Sequence, residues 1–159
     1  FQLITQVAGR AGRGLKKGEV IIQTYNPENL AVTAASRYDY EGFFAEEIGF
    51  RKLMKYPPFS DLIQVQFIGE NESEAEKLAL ECKDYLSKKE IDKSENEIFG
   101  PKGSHQISKE KDVFRYSILI KASKGSRNKY IYYISKYGEY VTSNTKLSFV
   151  IDVNPYGGF

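Results

Sequence analysis

Val113-Phe114-Arg115-Tyr116-Ser117-Ile118-Leu119-Ile120-Lys121-Ala122 decides the fold. Phe114, Tyr116, Ile118 and Ile120 alternate with Arg115, Ser117 and Lys121. A period of two places successive side chains on opposite faces, so the stretch predicts a strand with one apolar and one polar face. Working outward, Ile63, Val65 and Phe67 alternate with Leu62, Gln64 and Gln66, a second strand. Ser73 to Glu76 has the spacing of a capping box, opening an amphipathic helix to about Lys89 with Ala75, Leu78, Ala79, Cys82 and Leu86 inward. A polar loop over 92–96 precedes a short strand, 97–99, which Gly100-Pro101 is expected to end, and 102–112 reads as a polar loop. Beyond the central strand, 126–141 is helical in pattern and 146–153 alternates again. The order is βαββαβ, the ferredoxin-like arrangement, with two helices on one face of a four-stranded antiparallel sheet and the other face partly open.

The chain ahead of this block reads differently. Residues 1–13 pattern as the end of a helix with Leu3, Ile4 and Val7 as a short apolar stripe; 14–18 is a turn, and 19–25 is a Val- and Ile-rich strand stopped by Asn26-Pro27. A lone strand cannot satisfy its backbone groups. The expectation is therefore the remnant of an α/β lobe whose exposed edge borrows a partner strand. Residues 29–55 predict two helices, with Phe43, Phe44, Ile48, Phe50, Leu53 and Met54 forming a core stripe. Pro57-Pro58 ends the second helix, because proline lacks a donor and restricts its predecessor. The fold class is α+β, in three parts: the lobe tail 1–27, a helical connector 28–58, and the βαββαβ domain 59–159.

Composition narrows the chemistry. The 159 residues are 41% hydrophobic and 14% aromatic, enough for a packed core, and no run is long enough to span a membrane. No cleavable leader pattern is visible, and since the chain opens on Phe1 with Met54 its only methionine, it is expected to be part of something longer. One cysteine, Cys82, on an apolar helix stripe, and one histidine, His105, in a polar loop, can form neither a disulfide, a Cys/His dyad nor a Cys/His zinc site. Net charge is only +2, but it is segregated. Residues 1–17 hold four basic and no acidic side chains; 70–97 hold ten acidic against five basic; 102–136 hold nine basic against two acidic. That polarity suits one face for phosphates and another turned away from them.

Gln6-Val7-Ala8-Gly9-Arg10-Ala11-Gly12-Arg13-Gly14 is the densest candidate for chemistry. Small residues leave the backbone approachable, and Arg10 and Arg13, three apart, would share one helix face. Paired guanidinium forks suit a polyphosphate, although a solvated arginine pair or an RNA-binding tail has the same composition. The spacing is neither the dinucleotide fingerprint nor the Walker pattern, since Gly14 is followed by Leu15.

Q-V-A-G-R-A-G-R over 6–13 resembles motif VI of superfamily 2 helicases. With Gly18-Glu19-Val20-Ile21-Ile22-Gln23-Thr24, Tyr56-Pro57-Pro58-Phe59, Phe99-Gly100-Pro101 and Asp152-Val153-Asn154-Pro155 in the same order, the chain resembles the carboxy-terminal part of the primosomal protein N′ (PriA) family of replication-restart helicases. The resemblance implies an ATP-dependent 3′-to-5′ DNA helicase of the bacterial cytoplasm, associated with the nucleoid. It implies that Arg10 and Arg13 act as arginine fingers on nucleotide held mainly by another lobe, with Gln6 and Gly9 beside them. It also implies that ATP and Mg²⁺ belong to the full-length enzyme, so this chain alone is expected to be inactive. The family's zinc lies on a cysteine-rich segment absent from this sequence.

The resemblance further implies that the last domain is ribosomal-protein-like and engages forked DNA, the single-stranded-DNA-binding protein SSB and other primosome proteins. By local alignment Arg127 matches the arginine of the SSB-tail pocket, but Ile131 stands where the family pattern has glutamine. From charge alone, Arg115 and Lys121 on the open sheet face, beside Lys102, Lys109 and Lys111, could take nucleic-acid backbone or be merely solvated. A non-enzymatic RNA-binding or ribosomal module, and a small-ligand regulatory domain, share the element order. Base stacking on the sheet is disfavoured because Phe114 and Tyr116 fall on the apolar face.

Overall fold

The computed structural model describes residues 1–11, 19–107 and 112–155. They form two compact units, Phe1–Leu53 and Met54–Phe159. The first holds three helices: α1 (Gln2–Ala11), α2 (Leu30–Ser36) and α3 (Tyr40–Leu53). Asn29 caps α2, its Oδ1 accepting from the Ala31 amide at 2.9 Å. Asp39 does the same for the first turn of α3, its Oδ1 accepting from the Gly42 amide at 2.9 Å. Phe1 stacks on Phe43 at 5.0 Å and meets Tyr40 edge-on at 5.7 Å.

Two expectations for this unit fail. Residues 19–25 form no strand, and their backbone finds no ladder partner among the described residues. The Val/Ile composition supplies β propensity, but a strand needs a neighbour for its amides and carbonyls, and the described residues of this unit offer none. Nor is the aromatic stripe a core. Ala34 and Ala35 are buried, yet Phe44 and Phe50 are each 52% exposed and Leu53 is 80% exposed. On α1, Leu3 and Val7 are likewise exposed. Three short helices enclose too little volume to cover so many large side chains.

The second unit follows β1 (Asp61–Gly69), α4 (Glu72–Ser87), β2 (Glu97–Ile107), β3 (Asp112–Ala122), α5 (Arg127–Asn144) and β4 (Ser148–Val153). The four strands form one antiparallel sheet in the order β2-β3-β1-β4. Ile63, Val65 and Phe67 of β1 pair in register with Ile120, Ile118 and Tyr116 of β3. All but Tyr116 are fully buried, on the face covered by α4 and α5. Ala75, Leu78, Ala79, Cys82 and Leu86 of α4, with Tyr130, Ile134, Tyr137 and Val141 of α5, complete the core. The inward face of each element is therefore the one its periodicity predicts.

Three local details differ. The cap of α4 is Asn71, whose Oδ1 accepts from the Glu74 amide at 3.2 Å, rather than Ser73. Gly100-Pro101 does not end β2: the register slips between Phe99 and Lys102, and the strand runs on to Ile107. β2 is an edge strand, so a proline there removes no ladder bond that a neighbour needs, and a bulge absorbs the irregularity. The residues expected as a polar loop are thus largely strand, because β3 is long enough to pair with them.

Candidate functional site

Gln6, Gly9 and Arg10 all lie on α1 and are exposed. Their spacing puts them along one side of the helix. A methyl group built on Gly9 would meet nothing within 4 Å, so the stripe faces open space. Arg10 sits in the last turn of α1; Arg13 lies outside the described residues. Gln6 and Arg10 present exposed hydrogen-bond donors on α1, with the bare backbone of Gly9 between them.

On the sheet face away from the helices, the expected open platform is largely closed. Ser117, Leu119 and Lys121 are 8%, 8% and 9% exposed. Lys121 is not available to a phosphate. Its ammonium donates to the Met54 carbonyl at 3.1 Å and lies 4.6 Å from the Tyr56 ring and 5.2 Å from the Phe99 ring. The polar alternation of β3 correctly put Lys121 on that face. What it could not show is that Met54 and Tyr56 lie over it.

Arg115 faces the same way, between Ile68 of β1 and Ser104 of β2, and is half-buried. Its Nε is buried with no hydrogen-bond partner among the described residues. A buried guanidinium nitrogen without a partner is costly, and arginine's forked donors favour an oxyanion. Lys102 is exposed, pairs in register with Ser117 and so lies on that face too, near the β2 bulge. Lys109 and Lys111 lie outside the described residues.

Arg127 opens α5 and is exposed. The N-cap Ser126 is buried and makes no cap bond with its side chain. Its hydroxyl is instead 3.2 Å from Asn96 Nδ2 and 3.0 Å from Ser123 Oγ. Asn96, also buried, donates to the Asp92 carbonyl and accepts from the Ser123 amide at 2.8 Å. This network ties the 92–96 loop to the turn before α5. Ile131 packs against the core. Because α5 covers the helix-packed side of the sheet, Arg127 and Arg115 serve different sides of the domain.

A cavity of about 220 Å³ lies beside this turn, with Lys83, Lys89 and Lys93 around Leu86, Ile91, Ile98 and Tyr130. In the sequence these lysines are hidden by the acidic majority of 70–97. Cys82 is fully buried, and loss of hydration pushes its thiol up to about 12, so it is held as an inert thiol. Among the described residues no three metal-ligating side chains cluster. No helix there is long and apolar enough to cross a membrane.

The second unit is a mixed α/β domain whose sheet carries an arginine with a buried, unpartnered Nε, and the arginine-bearing helix α1 belongs to the first unit. The model of the primosomal protein N C-terminal domain family matches residues 52–156, and the chain belongs to that family. Relatives called replication restart protein PriA match beyond it. That of Chlamydia pneumoniae is 38% identical over 100% of this chain and 21% of its own length. That of Bacillus subtilis is 35% identical over 98% and 19%, and that of Synechocystis is 39% identical over 76% and 14%. The chain thus spans about a fifth or less of the relatives it matches.

Proposed function

We propose that the chain serves as the carboxy-terminal part of an ATP-dependent 3′-to-5′ DNA helicase that restarts replication at stalled forks in the bacterial cytoplasm. The observation that carries this reading is alignment with replication restart proteins over 98–100% of the chain, the arginine-bearing first helix included. In this reading the strand order β2-β3-β1-β4, with α4 and α5 on one face, is a ferredoxin-like domain, residues 1–27 are what this chain holds of a helicase lobe, and 28–58 connect the two.

Gln6, Arg10 and Arg13 would then reach nucleotide held mostly by sequence outside this chain. ATP with its magnesium supplies the phosphoryl group. The two guanidinium groups would neutralise charge on the oxygens of the departing phosphoryl, an effect of about 10³- to 10⁵-fold in rate. Gln6, one turn from Arg10, would orient the fork of donors. Zinc finds no cluster of ligands among the described residues. The second unit would engage forked DNA, with Arg115 and Lys102 on phosphates, and Arg127 would hold the carboxylate tail of SSB.

In the full-length enzyme, Arg10→Ala or Arg13→Ala is expected to cut ATP hydrolysis at least about a hundredfold while fork affinity stays within about twofold. Loss of fork binding with normal hydrolysis would overturn the finger assignment. This chain alone is expected to turn over no ATP; steady hydrolysis abolished by Arg10→Ala would refute that.

A further inference from the structure

The outer surface of α5 carries a row that the functions above leave unused. Lys129, Tyr132, Lys136 and Tyr140 are all exposed, and they follow one another at spacings of three, four and four. At about 100° per residue they fall within roughly 80° of arc, a single stripe alternating cation and ring. Tyr132 is 60% and Tyr140 53% exposed, unusually open for large aromatic side chains that have a packed domain directly beneath them.

The rings are backed by others. Tyr132 meets Tyr133 at 5.4 Å, Tyr133 meets Tyr85 of α4 at 6.4 Å, Tyr85 meets the buried Tyr137 at 5.5 Å, and Tyr137 meets Tyr140 at 5.9 Å. The two exposed tyrosines are therefore the ends of one continuous aromatic chain, which limits their freedom. Lys89 adds a further charge, its ammonium 3.8 Å from the Tyr85 ring.

We infer that this stripe is a binding surface for single-stranded DNA, with Tyr132 and Tyr140 as stacking platforms and Lys129, Lys136 and Lys89 on the phosphates. Alternating rings and cations is the chemistry such strands use: each base offers a π-face and each linkage a negative charge. An acidic protein surface would use the cations but leave two open rings without a role. The tyrosines are about 12 Å apart along the helix, far enough to seat separate bases. Glu139 lies on this face, 2.9 Å from Lys136, and Glu81 of α4 neighbours Tyr137 behind it. The Lys136–Glu139 pair is largely exposed and weak, so a phosphate can replace it.

The inference goes beyond the fork reading, which engages the opposite side of the sheet through Arg115. The test uses the 159-residue chain and labelled oligothymidylate, with an abasic strand of equal length and charge as comparison. The chain has no tryptophan and twelve tyrosines, so the part of the tyrosine quenching that Tyr132→Phe leaves and Tyr132→Ala or Tyr140→Ala removes reports stacking on this row. Binding with quenching is expected, the abasic strand binding far more weakly. Tyr132→Ala and Tyr140→Ala should each weaken oligothymidylate by about 5- to 150-fold, with the Phe replacements close to the parent. Lys129→Gln should flatten the salt dependence by about 0.7 of a unit of slope, and Glu139→Gln should tighten binding. Equal affinity for the abasic strand, or intact binding by both Ala variants with unchanged melting temperature, would overturn the inference. Fork affinity lost on Arg115→Ala alone would leave it standing.

Discussion

Lys121 shows how one side chain can be placed on the right face and still be misread. Its position in the alternation of β3 is correct, but Met54 and Tyr56 take its charge. Lys121→Met should therefore leave fork affinity unchanged and destabilise the domain by about 1–3 kcal/mol, since the Met54 carbonyl loses its donor. Equilibrium urea unfolding and anisotropy on the same variant check both halves. Arg115 is the contrasting case, from the same alternation and the same face, but with a buried Nε that nothing described accepts. Alternation alone cannot separate the two, because what distinguishes them comes from segments distant in sequence. Cys82 makes a prediction about alkali. Its thiol titrates near 12 when folded, against an ordinary value of 9.0. Above about pH 9 the unfolded chain has lost a proton that the folded chain keeps, so stability falls as pH rises, by at most about 1.4 kcal/mol per unit until the folded thiol ionises. Tyr137, also raised by burial, pushes in the same direction. Urea midpoints measured at pH 8 and about 10.5 should fall for the native chain and fall less for Cys82→Ala.

At the scale of elements, what was legible was whatever a period of two or 3.6 could encode. The inward residues of β1, β3, α4 and α5 carry that signal, and the sheet and its helices follow from them. What was not legible depended on a neighbour. Residues 19–25 have strand composition and no strand beside them; residues 102–107 have loop composition and β3 alongside to pair with. Gly138 belongs to the same category. A methyl group there would lie 2.5 Å from the Phe149 ring, so this glycine lets α5 approach β4. Phe149 in turn meets Phe67 edge-on at 5.1 Å and has little room to withdraw. Gly138→Ala should accordingly lower stability by about 1–3 kcal/mol despite alanine's better helix propensity. For a domain of this size that is roughly 4–20 °C in melting temperature, readable by circular dichroism.

Across the whole molecule, every residue of the hydrophobic core cluster belongs to the second unit, between Ile63 and Leu147. Residues 54–159 on their own should therefore unfold in one cooperative transition, with a midpoint within a few degrees of the 159-residue chain. A broad or strongly lowered transition would show that the first unit contributes to that core. Of the candidate sites, the sequence displayed the arginine-bearing helix as a motif. It could not display the closure of the sheet face, which depends on residues brought together from separate elements; the tyrosine row shows its helical spacing in the sequence of α5, but its exposure and its backing by Tyr85 of α4 come only with the fold. The last described residues add a further consequence. Asn154, at a φ of 57°, donates its amide to the Leu62 carbonyl at 2.7 Å, and its Oδ1 accepts the Leu62 amide at 2.9 Å. Its Nδ2 reaches Asp61 at 3.0 Å. One asparagine thus clasps the place where the chain enters the sheet to the place where it leaves. A module with its doorway and its exit side by side can be lifted out, re-joined head to tail, or spliced into a host loop while its interior stays undisturbed.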